Sequence, residues 1–239
     1  TEASIASLTR EDLQRFHRDW LRPDNATLIV VGDTTREAIL PLLEAHFGDW
    51  RAPAGPRPVK ARPAAPPRGE ARVYLVDRPG AVQSTILAGL AGDPGTADDR
   101  IELDTANTAL GGYFSSRLNL NLREDKGWSY GSRSSFVEAT GPRPWILSAP
   151  VQTDKTVDAL QEIRAEIVRF VGDKPLTDAE FAKIRDRDVR AMPGRYESNA
   201  AVAGAIAENL VYGRPDDYVS TLKARLESQA LDGVRGAAR

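Results

Sequence analysis

Six prolines fall between residues 52 and 69 (Pro53, Pro56, Pro58, Pro63, Pro66 and Pro67), set among alanine, arginine and glycine with no apolar period. Each proline fixes φ and removes a backbone donor, so neither a helix interior nor a central strand can run through the stretch. It reads as a semi-rigid extended linker over residues 52–70. The 239-residue chain therefore divides into a leading piece, residues 1–51, and a second module, residues 71–239.

The leading piece reads as helix–strand–helix. Thr9 with Asp12 three residues on is a helix start, followed by Leu13, Phe16 and Trp20 at helical spacing. Residues 26–31 are a short apolar, β-branched run, hence a buried strand, after the turn Pro23-Asp24-Asn25 and before Gly32-Asp33. A second helix follows over residues 35–47, with Ile39, Leu42, Leu43 and Phe47 on one face and Gly48 as its stop. So few apolar residues give this piece too little core to stand alone.

The second module reads as α+β, an antiparallel-rich sheet with helices on one face. Two strands, residues 71–76 and 82–90, are joined across Arg78-Pro79-Gly80. A helix over residues 97–110 carries Ile101, Leu103 and residues 106–110 as its apolar side and ends at Gly111-Gly112. Its first acidic residues, Asp98, Asp99 and Glu102, suit the positive end of the helix dipole better than catalysis. Ser115 or Ser116 caps a short helix bearing Leu118 and Leu122 at i, i+4, and Gly127 ends it. Residues 128–137 and 145–151 form an antiparallel strand pair. A long helix spans residues 155–171. Thr177-x-x-Glu180 is a capping box for the next helix, which Met192-Pro193-Gly194 should interrupt. Helix resumes over residues 200–210; it is alanine-rich and suited to close packing on a partner, or simply to the core. A last helix starts near Asp217.

Composition excludes several classes of function. The net charge of −2 lacks the excess of Lys and Arg that a nucleic-acid surface requires. The chain has no cysteine, which rules out disulfides and thiolate metal sites. No run of about 18 apolar residues is present to span a membrane, and no leader peptide is visible. A chain that starts at Thr1 and ends on Gly-Ala-Ala-Arg reads as an excised piece of a longer protein.

Chemistry concentrates in residues 110–131, LGGYFSSRLNLNLREDKGWSYG. Arg123 falls at the end of a short helix and Tyr130 seven residues later in a strand, so a helix-to-strand reversal can bring them together. In a regular strand Trp128, Tyr130, Ser132, Ser134 and Phe136 share one face and Arg133 takes the other. A guanidinium beside a phenol offers donors for a peptide carbonyl or a developing oxyanion. The plainer alternative pairs Arg123 with Glu124 or Asp125 and buries Tyr130. Gly111 and Gly112 either admit a substrate backbone or end a helix. Arg117 reads as the partner of a carboxylate in its own module rather than as a peptide contact.

The ordered set LGG-Y-FSSRL, LRE and DKGWSYG resembles the signature of the second half of the M16 (pitrilysin or insulinase) zinc metallopeptidases, which include the mitochondrial processing peptidase. The resemblance extends along most of the chain. LTREDLQRFHRDWLRPDNATLIVVGD and HFGDW are similar to the end of the family's first module, VDRPGAVQSTILAGL to the opening hairpin of the second, and LTDAEFAKIRD to its late helix. The terminal SQALDGVRGAAR weakly resembles the helix that precedes the first module's strand. The resemblance implies a LuxS/MPP-like metallohydrolase fold preceded by the tail of a similar module. It implies a clam-like chamber for an unfolded peptide, with the scissile bond cut at zinc held by an H-x-x-E-H motif in another module. It also implies that Arg123 and Tyr130 reach the substrate near that metal. The alanine- and arginine-rich composition makes a bacterial protein the expectation, of cytoplasm or periplasm. This chain lacks the motif: its two histidines, His17 and His46, have no partner at helical spacing, so no cofactor is expected in the chain itself. Zinc belongs to a partner module, upstream in the same polypeptide or on a separate subunit. The chain alone should not hydrolyse peptides. The alternative that the resemblance leaves open is a non-catalytic assembly subunit, like the core subunits of respiratory complexes.

Overall fold

The computed structural model describes residues 1–61, 69–94 and 100–239. It separates into two compact units, Thr1–Pro63 with Glu197–Ala207, and Ala64–Tyr196 with Glu208–Arg239. The expected linker falls partly outside the described residues, at 62–68, as does the expected helix start with Asp98 and Asp99.

In the first unit, α1 (Glu2–Ala6), α2 (Arg10–Trp20) and α3 (Arg36–Phe47) form as local signals dictate. Thr9 and Asp12 make a reciprocal capping box, and Thr35 caps α3. None of the three helices carries a buried residue. The strand expected over residues 26–31 does not form, and Leu28 is 59% exposed. A strand needs a neighbour for its N–H and C=O groups, and no strand among the described residues pairs with this run. The proline-rich stretch is tied back by Arg22, a buried side chain. Its guanidinium holds Asp24 at 2.5 and 2.8 Å and donates to the carbonyls of Pro53, Gly55 and Pro56 at 3.4, 3.1 and 3.1 Å.

The second unit is built on a three-stranded antiparallel sheet, β1 (Gln83–Pro94), β2 (Arg133–Phe136) and β3 (Pro142–Gln152), in the order β1-β3-β2. The registers Ala88↔Leu147 and Ser134↔Leu147 align one face of the three strands. On that face Ile86, Leu147, Ala149 and Val151 are buried under Leu110, Leu118, Leu122, Ala159, Ile163 and Phe170. These come from α4 (Arg100–Asn107) with the π-helical turn Thr108–Gly112, from α5 (Arg117–Asn119) with the π-helical turn Leu120–Asp125, and from α6 (Thr156–Val171). The opposite face, with Thr85, Leu87 and Ile146, is exposed, so helices cover one side only. The expected strand over residues 71–76 is absent, and Val73 and Leu75 are 92% exposed. This run is apolar and β-branched but pairs with no strand among the described residues.

Two further expectations are corrected. α7 (Asp178–Arg195) passes through Pro193 and ends at Tyr196, three residues beyond the proline expected to interrupt it. α8 (Asn199–Tyr212) is not a core helix: Asn209 is its one buried residue. α9 (Tyr218–Ser228) and α10 (Leu231–Ala237) complete the chain. Ser116 occupies the N-cap position of α5, but its hydroxyl makes no cap bond.

Gly111 fixes how closely α4's end approaches the sheet. A Cβ there would lie 2.6 Å from the backbone nitrogen of Ser134 and 2.3 Å from its hydroxyl. The close approach serves the protein's own sheet, not a passing substrate backbone. Asn107, one turn earlier, uses the proximity: its amide donates to the Ser134 carbonyl at 3.1 Å and accepts from the Ser134 hydroxyl at 2.7 Å and the Trp145 indole at 2.8 Å.

Arg117 joins α5 to α6 and α7. It binds Glu180 in a fork, Nε and Nη2 each 2.7 Å from a carboxylate oxygen. It also donates to the carbonyls of Lys174 and Pro175 and lies 4.9 Å over the Phe170 ring. Glu180 at once closes the capping box of α7, accepting from the Thr177 N–H at 2.9 Å and its hydroxyl at 2.7 Å. Burial pushes the Glu180 carboxyl up, but Arg117 and the Thr177 bonds outweigh it and hold the group down to about 2, from an ordinary 4.5.

Two outcomes test this packing. Gly111→Ala should cost about 3 kcal/mol, because backbone rather than a flexible side chain must give way, while Gly141→Ala, with nothing within 4 Å, should leave the melting temperature unchanged. Because Glu180 is more acidic folded than unfolded, its stabilisation is complete above about pH 4.5 and lost as pH falls toward about 2. Arg117→Ala should lower stability at neutral pH by about 2 kcal/mol and flatten this acid-limb dependence in urea titrations.

Candidate functional site

The site grows from the reversal at Gly127. Leu118 and Leu122 are buried in the core, which fixes the face that α5 and its π-helical extension turn inward. The extension leaves Arg123 on its outer side. Lys126 donates to the Asn121 carbonyl and Gly127 to that of Arg123. Gly127 then takes φ +66°, a left-handed conformation that costs a glycine little. The next two amides, Trp128 and Ser129, both donate to the Leu122 carbonyl, at 2.9 and 3.1 Å. The chain thus turns back beside the helix it has just left.

The expected strand over residues 128–137 is regular only over Arg133–Phe136; before it, Ser129 makes a lone bridge to Val151. The reason lies in β3. The ladder ends at Arg133↔Ser148; beyond Pro150 the register has slipped by one residue, with Ser129 bridged to Val151 and the Gln152 N–H donating to the Trp128 carbonyl. Pro150 has no N–H to give on that side, so the ladder breaks. The Ser129 hydroxyl takes the Pro150 carbonyl at 2.5 Å, and Asn119 accepts from the Ser132 N–H at 3.0 Å. The expected shared face therefore fails at one residue. Ser132 and Ser134 are buried, Trp128 and Phe136 half-buried, and Arg133 is exposed as expected, but Tyr130 is thrown outward and is 82% exposed.

Tyr130 nevertheless meets Arg123. The guanidinium carbon lies 4.9 Å from the Tyr130 ring centroid and 4.7 Å from that of Phe114. Glu124 stands 3.1 Å from Arg123 Nε. Both readings of Arg123 are thus partly realised: it pairs with the adjacent carboxylate, and it also lies beside an exposed phenol. With two aromatic ring centroids 4.7 and 4.9 Å from its carbon and its Nε facing Glu124, the guanidinium keeps further N–H donors, and Tyr130 offers its hydroxyl. Such a pair can bind a carbonyl or carboxylate oxygen. Phe114 was not foreseen from the sequence. The signal for it is an aromatic just after the glycine pair, in a loop that the fold places against Arg123. Arg117, by contrast, is committed to Glu180 inside the module.

A second charged cluster also escaped the sequence. Arg143 is fully buried on the first turn of β3, with Asp104 at 3.0 Å and Glu138 at 3.3 Å; Arg100 and Arg214 approach Glu138 at 2.7 and 3.6 Å. Burial raises the Asp104 carboxyl above its usual range. At Glu138 burial also pushes upward, but the Arg100 hydrogen bond and the surrounding guanidinium charges leave it lowered. These ion pairs link α4, the β2–β3 connection and the α8–α9 turn, although Arg100 Nε, Arg143 Nε and Arg214 Nη2 are buried without a hydrogen-bond partner.

Among the described residues no side chains are grouped to hold a zinc ion. His17 and His46 are both exposed, on α2 and α3, and among the described residues no three His, Cys, Asp or Glu side chains converge. Among the described residues no helix is long and apolar enough to cross a membrane.

Comparison with known proteins places the chain in a family. Residues 7–187 match the family model described as the peptidase M16 inactive domain. An uncharacterized zinc protease of Mycobacterium bovis is 27% identical over 99% of this chain and 53% of its own length, so the chain spans about half of that relative. Among solved structures, a protease from Helicobacter pylori superposes with TM-score 0.89 at 22% identity, covering 100% of this chain and 57% of that one. A peptidase M16 inactive domain from Pseudomonas fluorescens superposes with TM-score 0.86 at 21% identity, covering 98% and 55%. The chain belongs to the peptidase M16 inactive-domain family.

Proposed function

We propose that this chain is the substrate-binding, non-zinc half of an M16-type metallopeptidase. It closes over an extended peptide whose scissile bond is cut at zinc held by another module, upstream in the same polypeptide or on a separate subunit. Residues 1–51 are then the tail of that first module, residues 52–70 the joint, and residues 71–239 the second, non-zinc module. The observation that carries the reading is the approach of Arg123 to an exposed Tyr130 across the Gly127 reversal, with donors from both facing outward.

In this reading Arg123 and Tyr130 bind main-chain oxygens of the peptide, which recur along any unfolded chain and so suit a broad substrate set. A purely structural arginine has no use for a phenol left in solvent, which is why the assembly-subunit alternative is not favoured. The absence of a zinc-binding set among the described residues is consistent with chemistry supplied by the partner module.

The reading is tested by titrating a fluorescent unfolded peptide against the chain and following anisotropy. Weak binding is expected, falling about tenfold in Arg123→Ala, where charge-assisted bonds are lost, and about fivefold in Tyr130→Phe, where one hydroxyl is lost. Affinity unchanged in both variants sinks the assignment. Peptide hydrolysis should appear only when a zinc-bearing M16 module is present, and should stop when a chelator removes its metal.

A further inference from the structure

Asn119 is buried, at 4% exposure, yet belongs to none of the groups named so far as binding residues. Its two amide ends reach in different directions. Nδ2 donates to the Phe114 carbonyl at 2.6 Å, and Oδ1 accepts from the Ser132 N–H at 3.0 Å. One leg ends in the loop that carries Phe114; the other ends in the broken-ladder segment that carries Tyr130. These are the two rings between which Arg123 lies, at 4.7 and 4.9 Å.

We propose that Asn119 is a positioning residue for this site, and that Phe114 is a third member of it beside Arg123 and Tyr130. The inference rests on the proposed peptide-binding function for its consequence, but not for its geometry. Neither segment has regular pairing of its own. Residues 113–116 are a turn closed by the Ser116 N–H on the Tyr113 carbonyl, and residues 130–132 have left the sheet ladder. A side chain that spans both backbones with a planar amide therefore sets the gap between their aromatic rings. A guanidinium fits that gap through its flat faces, losing little hydration there while its edge stays available. Without the brace, both loops can move and Arg123 loses its orientation, though all three site residues remain.

The chemistry of this platform gives it a preference. Phe114 is exposed and apolar, immediately beside the donors that would hold a peptide oxygen. A peptide residue with a large apolar or aromatic side chain next to the bound carbonyl can cover the Phe114 ring. Peptides with glycine or a charged residue there gain nothing from it.

The test combines a spectroscopic signature with affinity. In the 239-residue chain with labelled arginine, the Arg123 side-chain protons should be shifted upfield by the two flanking rings; Arg123→Lys identifies the signal by removing it. Asn119→Ala removes both legs. Asn119→Asp keeps the acceptor for Ser132 and loses the donor to Phe114, and serves should the alanine variant not fold. In either folded variant the Arg123 signal should move toward that of an exposed arginine, and peptide affinity should fall about threefold, the scale of a lost exposed cation–π contact. Phe114→Leu should weaken an aromatic-containing peptide by a similar factor and leave a glycine-substituted one unchanged. An Arg123 signal that stays upfield in a folded Asn119 variant overturns the positioning role. A signal that moves while affinity stays constant in Asn119→Ala and in Arg123→Ala supports the positioning role and sinks the peptide-binding function instead.

Discussion

A missing N–H at Pro150 marks the point where the ladder beside Arg123 and Tyr130 stops being regular. The sheet between β2 and β3 needs an N–H from that position on the β2 side, and proline cannot supply it. The partner segment is therefore released from the ladder, and its polar groups are satisfied by Ser129, Ser132 and Asn119 instead. The consequence is geometric. Where a regular strand would have alternated Tyr130 onto the same face as the buried Ser132 and Ser134, the released segment presents it to solvent beside Arg123.

The helices that support this arrangement are held by arginines used in two different ways. Arg117 and Arg143 have their charge consumed inside the unit, by Glu180 and by Asp104 with Glu138. They act as many-armed cross-links between elements that apolar packing alone would leave free to slide. Arg123 retains an outward edge. The same residue type therefore builds the scaffold and equips the site, and burial with carboxylate partners distinguishes the roles.

Much of the architecture was legible because it rests on local rules. The capping boxes at Thr9 and Thr177, the left-handed turn at Gly127, and the period of Leu118 and Leu122 each need only neighbouring residues, and each appears where the spacing puts it. The strands expected over residues 26–31 and 71–76 were not reached, although both runs are apolar and β-branched. A strand exists only in company, and these two find no neighbour among the described residues. The alanine-rich α8 shows the same limit: its composition suits a core, but its surroundings decide whether it is covered.

The sequence by itself determined the α+β class, the capped helix starts at Thr9 and Thr177, and the reversal at Gly127 that brings Arg123 and Tyr130 within reach, since these follow from backbone conformation and residues close in the chain. It also pointed to the M16 family through its ordered motifs. Only the tertiary structure decided that Gly111 serves contact with Ser134, that Phe114 lies against Arg123, and that Tyr130 faces outward. Those outcomes hang on partners far apart in sequence: on the backbone of Ser134 for Gly111, and on Pro150 for Tyr130. A hydrogen bond left unmade twenty residues away carries no signal in the local pattern, because it is the pairing of strands that brings Pro150 against the segment that carries Tyr130.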